Sequence, residues 1–324
     1  MKVKKIATAA CGVVAAVALA GVLAACGTGG QTAADGETVT ITALDASGAE
    51  TQIEVPKNPQ RVAILDFAAL DIIDALGCGD SVVGCASTTL DYLEKYTEDE
   101  NVAALGTIKE ADMEAVANCE PDVIFIGGRL SSSYDALSEI APVVYLSADI
   151  TGKGLVESTK DTAATIAQIF DVEDTVSSKF DDFEQRIAAL QEVSAGKTAV
   201  VGMATSGSFN ITGNDGRCSL IGNEVGFENL AAGDSTSTHG NEASFETVVD
   251  MDPDYIFVLD RDAAIGTDGA QLAADVMDNE LIDSTRAVQD GHLVIMAHPA
   301  AWYTAEGGVT ALDLMISDLE EALP

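Results

Sequence analysis

Positive charge is what this chain has least of. Across 324 residues, 16 lysines and arginines stand against 53 aspartates and glutamates, a formal net charge of −37. Such a surface repels nucleic acid and anionic lipid headgroups, so neither is an expected partner. Histidine is nearly as scarce, with three in all, and no Cys-x-x-Cys pair occurs, which argues against a dedicated protein-ligated zinc or manganese site. The body cysteines, Cys78, Cys85, Cys119 and Cys218, are too few and too dispersed for a disulfide scaffold. A Cys78–Cys85 bridge and buried free thiols both remain open. No Gly-x-Ser-x-Gly elbow, P-loop or paired-carboxylate signature appears, and acid pairs mean little at this acid content, so nothing calls for an enzyme.

Charge is also missing from Ile6 to Ala25, a stretch preceded by Lys2, Lys4 and Lys5 and closed by Leu23-Ala24-Ala25-Cys26-Gly27. A positive start, an apolar middle and small residues at the end make residues 1–25 a signal peptide. The Leu-Ala-Ala-Cys string resembles a bacterial lipobox, which implies that Cys26 becomes the lipidated first residue of the mature protein. Two or more acyl chains on that cysteine suffice for stable anchoring. An uncleaved membrane anchor is the competing reading, but the stretch is rich in Ala and Gly and weakly apolar. Either way the body is expected at the cell membrane, on its extracytoplasmic face. Losing three lysines and no acid takes the net charge from −37 to −40. Residues 26–36, small and polar, read as a tether.

The remaining residues exceed what one hydrophobic core usually serves, so two domains are expected. Thr38 to Thr42 and Gln52 to Val55 alternate apolar and polar, an edge hairpin. Strand-like runs follow at Arg61 to Leu65, Ser81 to Gly84, Val123 to Ile126 and Val143 to Leu146, separated by segments of helical period. That alternation predicts an α/β fold with mostly parallel sheets. From Val156 to Ser194 there is neither Gly nor Pro, which predicts one long helix or two consecutive ones. The second half then repeats the pattern, with strands at Lys197 to Met203, Tyr255 to Leu259 and Leu293 to Met296 and a last helix over Thr310 to Leu323. The expected division is a first lobe over 37–155, linking helices over 156–195 and a second lobe over 196–324.

The repetition extends to residues. Met113 to Ile126 matches Phe245 to Val258 at a constant offset of 132, and at the same offset Arg129 pairs with Arg261. Each half therefore carries a helix, a Pro-Asp turn, a buried strand and then an arginine. Ligands of α/β sheets sit beyond the carboxyl ends of the strands, so both arginines are expected to face a shared cleft.

Several strings in order resemble the catecholate-siderophore branch of the class III substrate-binding proteins of ABC importers. They are Leu105-Gly106-Thr107-Ile108-Lys109-Glu110-Ala111-Asp112-Met113-Glu114, Gly127-Gly128-Arg129, Ser237-Thr238-His239-Gly240, Asp260-Arg261-Asp262-Ala263-Ala264 and Ala301-Trp302-Tyr303. The resemblance implies two Rossmann-like lobes joined by one long helix, with no intrinsic cofactor. It implies a ferric siderophore held in the cleft and passed to an ABC permease and its ATPase, and a chain without a second anchor or catalytic domain is expected to act with them as a monomer. Three of only six arginines, Arg129, Arg217 and Arg261, fall at the family's ligand-binding positions. His239 and Tyr303 match residues that complete the iron's coordination when a tetradentate siderophore leaves two sites open. Glu114 and Glu246 match carboxylates that dock onto permease arginines. Trp302, the only tryptophan, is expected either to stack on a catechol ring or to pack in the core.

An anionic cargo and a protein of this charge repel one another at long range. A close guanidinium pair is worth about 4 kcal/mol at an effective dielectric of ~20, whereas remote carboxylates are screened beyond ~8 Å. The local arginines are expected to win. Haem or a corrinoid is the alternative cargo, and a structural or adhesive surface lipoprotein is the alternative class, though it has no use for three cleft arginines.

Overall fold

The computed structural model describes residues 36–149, 152–233, 237 and 239–323. Its first strands follow from simple alternation. In β1 (Thr38–Leu44) and β2 (Glu50–Pro56) alternate side chains turn inward, Ile41 and Val55 among them, and the two pair antiparallel as a sheet of their own. Asp45 sets the turn, its Oδ1 accepting from the backbone N–H of Ser47 at 2.8 Å and of Ala49 at 3.0 Å.

The next strands are short and mostly apolar. β3 (Val62–Leu65), β4 (Val82–Cys85), β5 (Ala103–Ala104), β6 (Val123–Ile126) and β7 (Val143–Tyr145) pair in the order β5-β4-β3-β6-β7, all parallel. Every residue of β3 and β6 is buried, as a parallel strand covered on both faces requires. Helix Phe67–Ala75 begins directly after β3, where the Asp66 carboxylate accepts from Ala69 N–H at 3.0 Å. Helix Met113–Asn118 starts on Asp112 in the same way.

Of the two forms expected for the connecting stretch, two consecutive helices are the one adopted. The stretch divides into helices Leu155–Phe170 and Ser177–Ser194, separated by a 3-10 turn at Glu173–Thr175. Asp171 ends the first in the left-handed region at φ 59°, and its N–H bonds back to the Ala167 carbonyl. Aspartate tolerates that conformation, so the helix stops without glycine or proline.

β8 (Thr198–Thr205), β9 (Ser208–Ile211), β10 (Glu228–Asn229), β11 (Asn241–Glu242), β12 (Tyr255–Asp260) and β13 (Leu293–Ile295) build the second sheet, in the order β11-β9-β8-β12-β13 with β10 beside the start of β8. β8, β10, β12 and β13 run parallel, β9 is antiparallel to β8 and β11 is antiparallel to β9, so this sheet is mixed. β9 returns from a two-residue turn, Ser206-Gly207, with φ of 52° and 76°. Positive φ at both positions is what a tight hairpin matching the strand twist needs.

The last helix, Val309–Ala322, leaves the second sheet and packs on Phe67–Ala75 and on both connecting helices. Asp71, fully buried, holds its start: Oδ1 accepts from Thr310 N–H at 2.7 Å, and Oδ2 accepts from Ala311 N–H at 2.9 Å and from the Tyr92 hydroxyl at 2.7 Å. Arg186 on the second connecting helix clamps the same helix from outside, pairing with Glu320 at 2.7 Å and with Asp313. Packing therefore sets the end of the chain against helix Phe67–Ala75 of the first half. Cys78, Cys85, Cys119 and Cys218 are free thiols, which removes the Cys78–Cys85 alternative.

Candidate functional site

Where β6 ends, the chain turns through Gly127-Gly128 into Arg129. A Cβ on Gly127 would collide with the Asp66 carboxylate, so only glycine lets the strand end approach the capped helix this closely. Arg129 is exposed, and its guanidinium makes no hydrogen bond or ion pair among the described residues. Behind it, burial pushes the Asp66 carboxyl up, opposed by the N–H groups of Ala69 and Ala68 and by the field of Arg129.

The second half supplies the other wall. β12 ends in Asp260, which caps the next turn by accepting from Ala263 N–H at 2.9 Å, and Arg261 follows. Its Nε donates to the Tyr303 hydroxyl at 3.1 Å, and its Nη1 donates to Asp262 at 3.0 Å and to Thr205 at 3.3 Å. Asp262 also accepts from Ser206 N–H at 2.6 Å, which ties the β8–β9 turn to the arginine. Arg217 lies over the Tyr303 ring at 4.3 Å, within cation–π range. Tyr303 in turn lies 3.5 Å from Nδ1 of His239. Burial lowers the His239 pKa, reinforced by Arg261 and Arg217, so the imidazole is neutral near pH 7 and free to act as an electron-pair donor.

These walls face a cleft that is open to solvent and is lined by Arg129, Asp66 and Ser147 on one side and Arg217, Tyr303 and Glu306 on the other. Arg129, Arg217 and Tyr303 thus meet around one space, with Arg261 and His239 attached through Tyr303. Trp302 does not join them. It is wholly buried, its Nε1 donating to Asp318 at 2.8 Å, so the expectation that it stacks on cargo is corrected to a packing role. The other three arginines are structural: Arg61 bonds the carbonyls of Cys119 and Glu120, Arg186 clamps the last helix, and Arg286 pairs with Asp254 at 3.2 Å.

Sequence reasoning missed the acids behind the arginines. Arg217 Nη1 lies 3.6 Å from Glu306, Arg261 is paired with Asp262, and Arg129 feels Asp66. The arginines are therefore not the unopposed charges that the simple Coulomb estimate assumed. Among 53 acids nothing local marks these three, although Asp262 does adjoin an arginine.

Glu114 and Glu246 are both exposed and occupy the second position of equivalent helices, Met113–Asn118 and Phe245–Met251, the latter capped by Ser244. The repeat at an offset of 132 is thus a repeat of structure, each helix leading into the central strand that ends beside a cleft arginine. Cys26 and the signal segment lie outside the described residues, as does Thr238.

A model of the periplasmic binding protein family matches residues 62–300. The petrobactin-binding protein YclQ of Bacillus subtilis is 36% identical over 291 residues, covering 89% of each chain. Its crystal structure superposes with a TM-score of 0.81, over 89% of this chain and 99% of that one. The periplasmic catecholate-siderophore binding protein VctP of Vibrio cholerae is 29% identical, with a TM-score of 0.79 over 87% of this chain and all of its own. The ferric-anguibactin-binding protein FatB of Vibrio anguillarum is 26% identical over 273 residues, 83% of this chain and 84% of that one.

Proposed function

This chain belongs to the periplasmic binding protein family, and from that we propose that it is the receptor of an ABC importer, taking a ferric siderophore of the catecholate kind into the cleft and delivering it to a permease. The observation that carries the reading is the meeting of Arg129, Arg217 and Tyr303 around one open space, with Arg261 and His239 joined to it through the Tyr303 hydroxyl. A ferric catecholate is a rigid anion with oxygen edges, and guanidinium groups offer planar, permanently charged donors to such edges. A phenolate and a neutral imidazole are competent ligands for ferric iron when the siderophore leaves two positions free. The names of relatives agree with this cargo: YclQ binds petrobactin, VctP a catecholate siderophore and FatB ferric anguibactin.

Titrating the protein from Gly27 onward with tetradentate and hexadentate ferric catecholates tests the reading. Tight binding of at least one, followed by tryptophan fluorescence and the charge-transfer band, is expected. His239→Ala should shift the band of the tetradentate complex and leave that of the hexadentate complex alone. Binding of neither, with uptake of haem or a corrinoid instead, would replace the cargo while keeping the receptor role.

Glu114 and Glu246 are the proposed permease contacts, since both stand exposed at matching places in the two halves. Reversing both charges, Glu114→Arg with Glu246→Arg, is expected to abolish cellular iron uptake while leaving the affinity for cargo unchanged. An unchanged uptake rate would remove them from the interface. Cys26 is the proposed lipid attachment point, and Cys26→Ser should end incorporation of labelled palmitate and release the protein from the membrane.

A further inference from the structure

Glu306 is an unusual group to find in a cleft meant for an anion. It lines the same space as Arg129 and Tyr303, its side chain is only 11% exposed, and its Oε1 has no hydrogen-bond partner. Its nearest cation is Arg217, at 3.6 Å, which is too long for a hydrogen bond. The Arg217 Nε is likewise buried without an acceptor. Two opposite charges thus sit side by side, each incompletely satisfied, although unmet polar groups at buried positions are costly.

An ion pair built for stability would close this gap. An open pair leaves the guanidinium able to turn toward an incoming oxygen edge, and the carboxylate then loses its close cation. Building on the receptor reading above, we propose that Glu306 determines which cargo charge the cleft accepts, by competing with an anionic ligand for the Arg217 guanidinium.

The groups facing Glu306 fix the direction of the effect. Arg217 and the N–H of Cys218 favour its charged form, while burial and the field of Glu224 oppose it, and burial prevails so that the carboxyl is pushed up to about 7. Glu224 is itself held by Val156 N–H at 2.8 Å, and burial raises its pKa too. Below neutrality Glu306 is neutral and Arg217 is unopposed. Above it the carboxylate neutralises Arg217 and repels an anion. Affinity for a highly anionic cargo therefore falls as pH rises through neutrality, whereas affinity for an uncharged complex of the same shape does not.

The test uses two tripodal ferric chelates of like size, a trianionic tris-catecholamide and a neutral tris-hydroxamate, titrated on the acid and alkaline sides of neutrality. The wild-type protein should lose affinity for the trianionic complex on the alkaline side and show no matching loss for the neutral one. Glu306→Gln keeps the size of the side chain and should tighten alkaline binding of the trianionic complex by at least about tenfold, with little change for the neutral complex. Glu306→Asp should retain the wild-type pH dependence. A flat wild-type profile, or a Gln variant that alters both complexes alike or neither, overturns the proposal while leaving the receptor role intact. If the wild-type protein binds no ferric complex of any charge, the receptor reading fails and this inference fails with it.

Discussion

Arg129→Ala is expected to lower affinity for a ferric catecholate about a hundredfold and to leave thermal stability where it was. Two charge-assisted hydrogen bonds at ~1.5 kcal/mol each make about 3 kcal/mol, and each 1.4 kcal/mol is tenfold in affinity. The stability half of the expectation comes from the surroundings. Arg129 is exposed and has no ion pair or hydrogen bond among the described residues, while Asp66 behind it remains bonded to Ala69 N–H. Removing the side chain thus deletes the proposed cargo contact and breaks no hydrogen bond, and Asp66 loses only the field of one exposed guanidinium. Arg261→Ala provides the contrast, since it takes a donor from Tyr303 and leaves the buried Asp262 without its cation. Both affinity and unfolding midpoint should fall there. Titration by fluorescence with parallel calorimetry separates the two variants. An Arg129→Ala protein that binds like its parent would take this residue out of the site.

Trp302→Ala is expected to cost about 4 kcal/mol of stability, a large share of the 5–15 kcal/mol typical of a folded protein. The midpoint should drop by about 10 °C. The reason lies in what the indole fills and what it holds. Trp302 heads the largest fully buried side chains, and its N–H reaches Asp318, a buried carboxylate that also accepts from His298 N–H at 3.1 Å and meets His298 Nδ1 at 2.6 Å. That network ties helix Pro299–Thr304, which carries Tyr303, to helix Val309–Ala322. Trp302→Phe keeps most of the volume and loses one bond, so its penalty should be about 1–2 kcal/mol with cargo still bound. A Phe variant that is fully stable but no longer binds cargo would restore the stacking role that burial denies.

These expectations mark which parts of the molecule were open to sequence reasoning. The central strands could be read because β3, β6 and β12 are continuous apolar runs, and a strand covered on both faces must be so. The hairpin of β1 and β2 could be read because one face is wet and the other dry. Arg129, Arg217 and Arg261 stood out because arginine is rare in so acidic a chain and two of the three repeat at a fixed offset.

What escaped was settled by partners distant in the chain. Asp171, which ends the first of the two connecting helices, pairs with Lys57 at 2.7 Å, more than a hundred residues before it. β9 is antiparallel because Ser206-Gly207 closes a hairpin and Asp262, 56 residues on, secures it. The last helix packs on Phe67–Ala75, where Asp71, 239 residues before Thr310, holds its N-terminus. Trp302 is buried and Tyr303 beside it faces the cleft, a difference of one position on a short helix. Glu306 became part of the site only when folding set it against Arg217. Local periodicity and residue type act through neighbours along the chain and were legible there. Burial, charge pairing and the return of one element onto another depend on atoms brought together across hundreds of residues, and those the folded molecule alone displays.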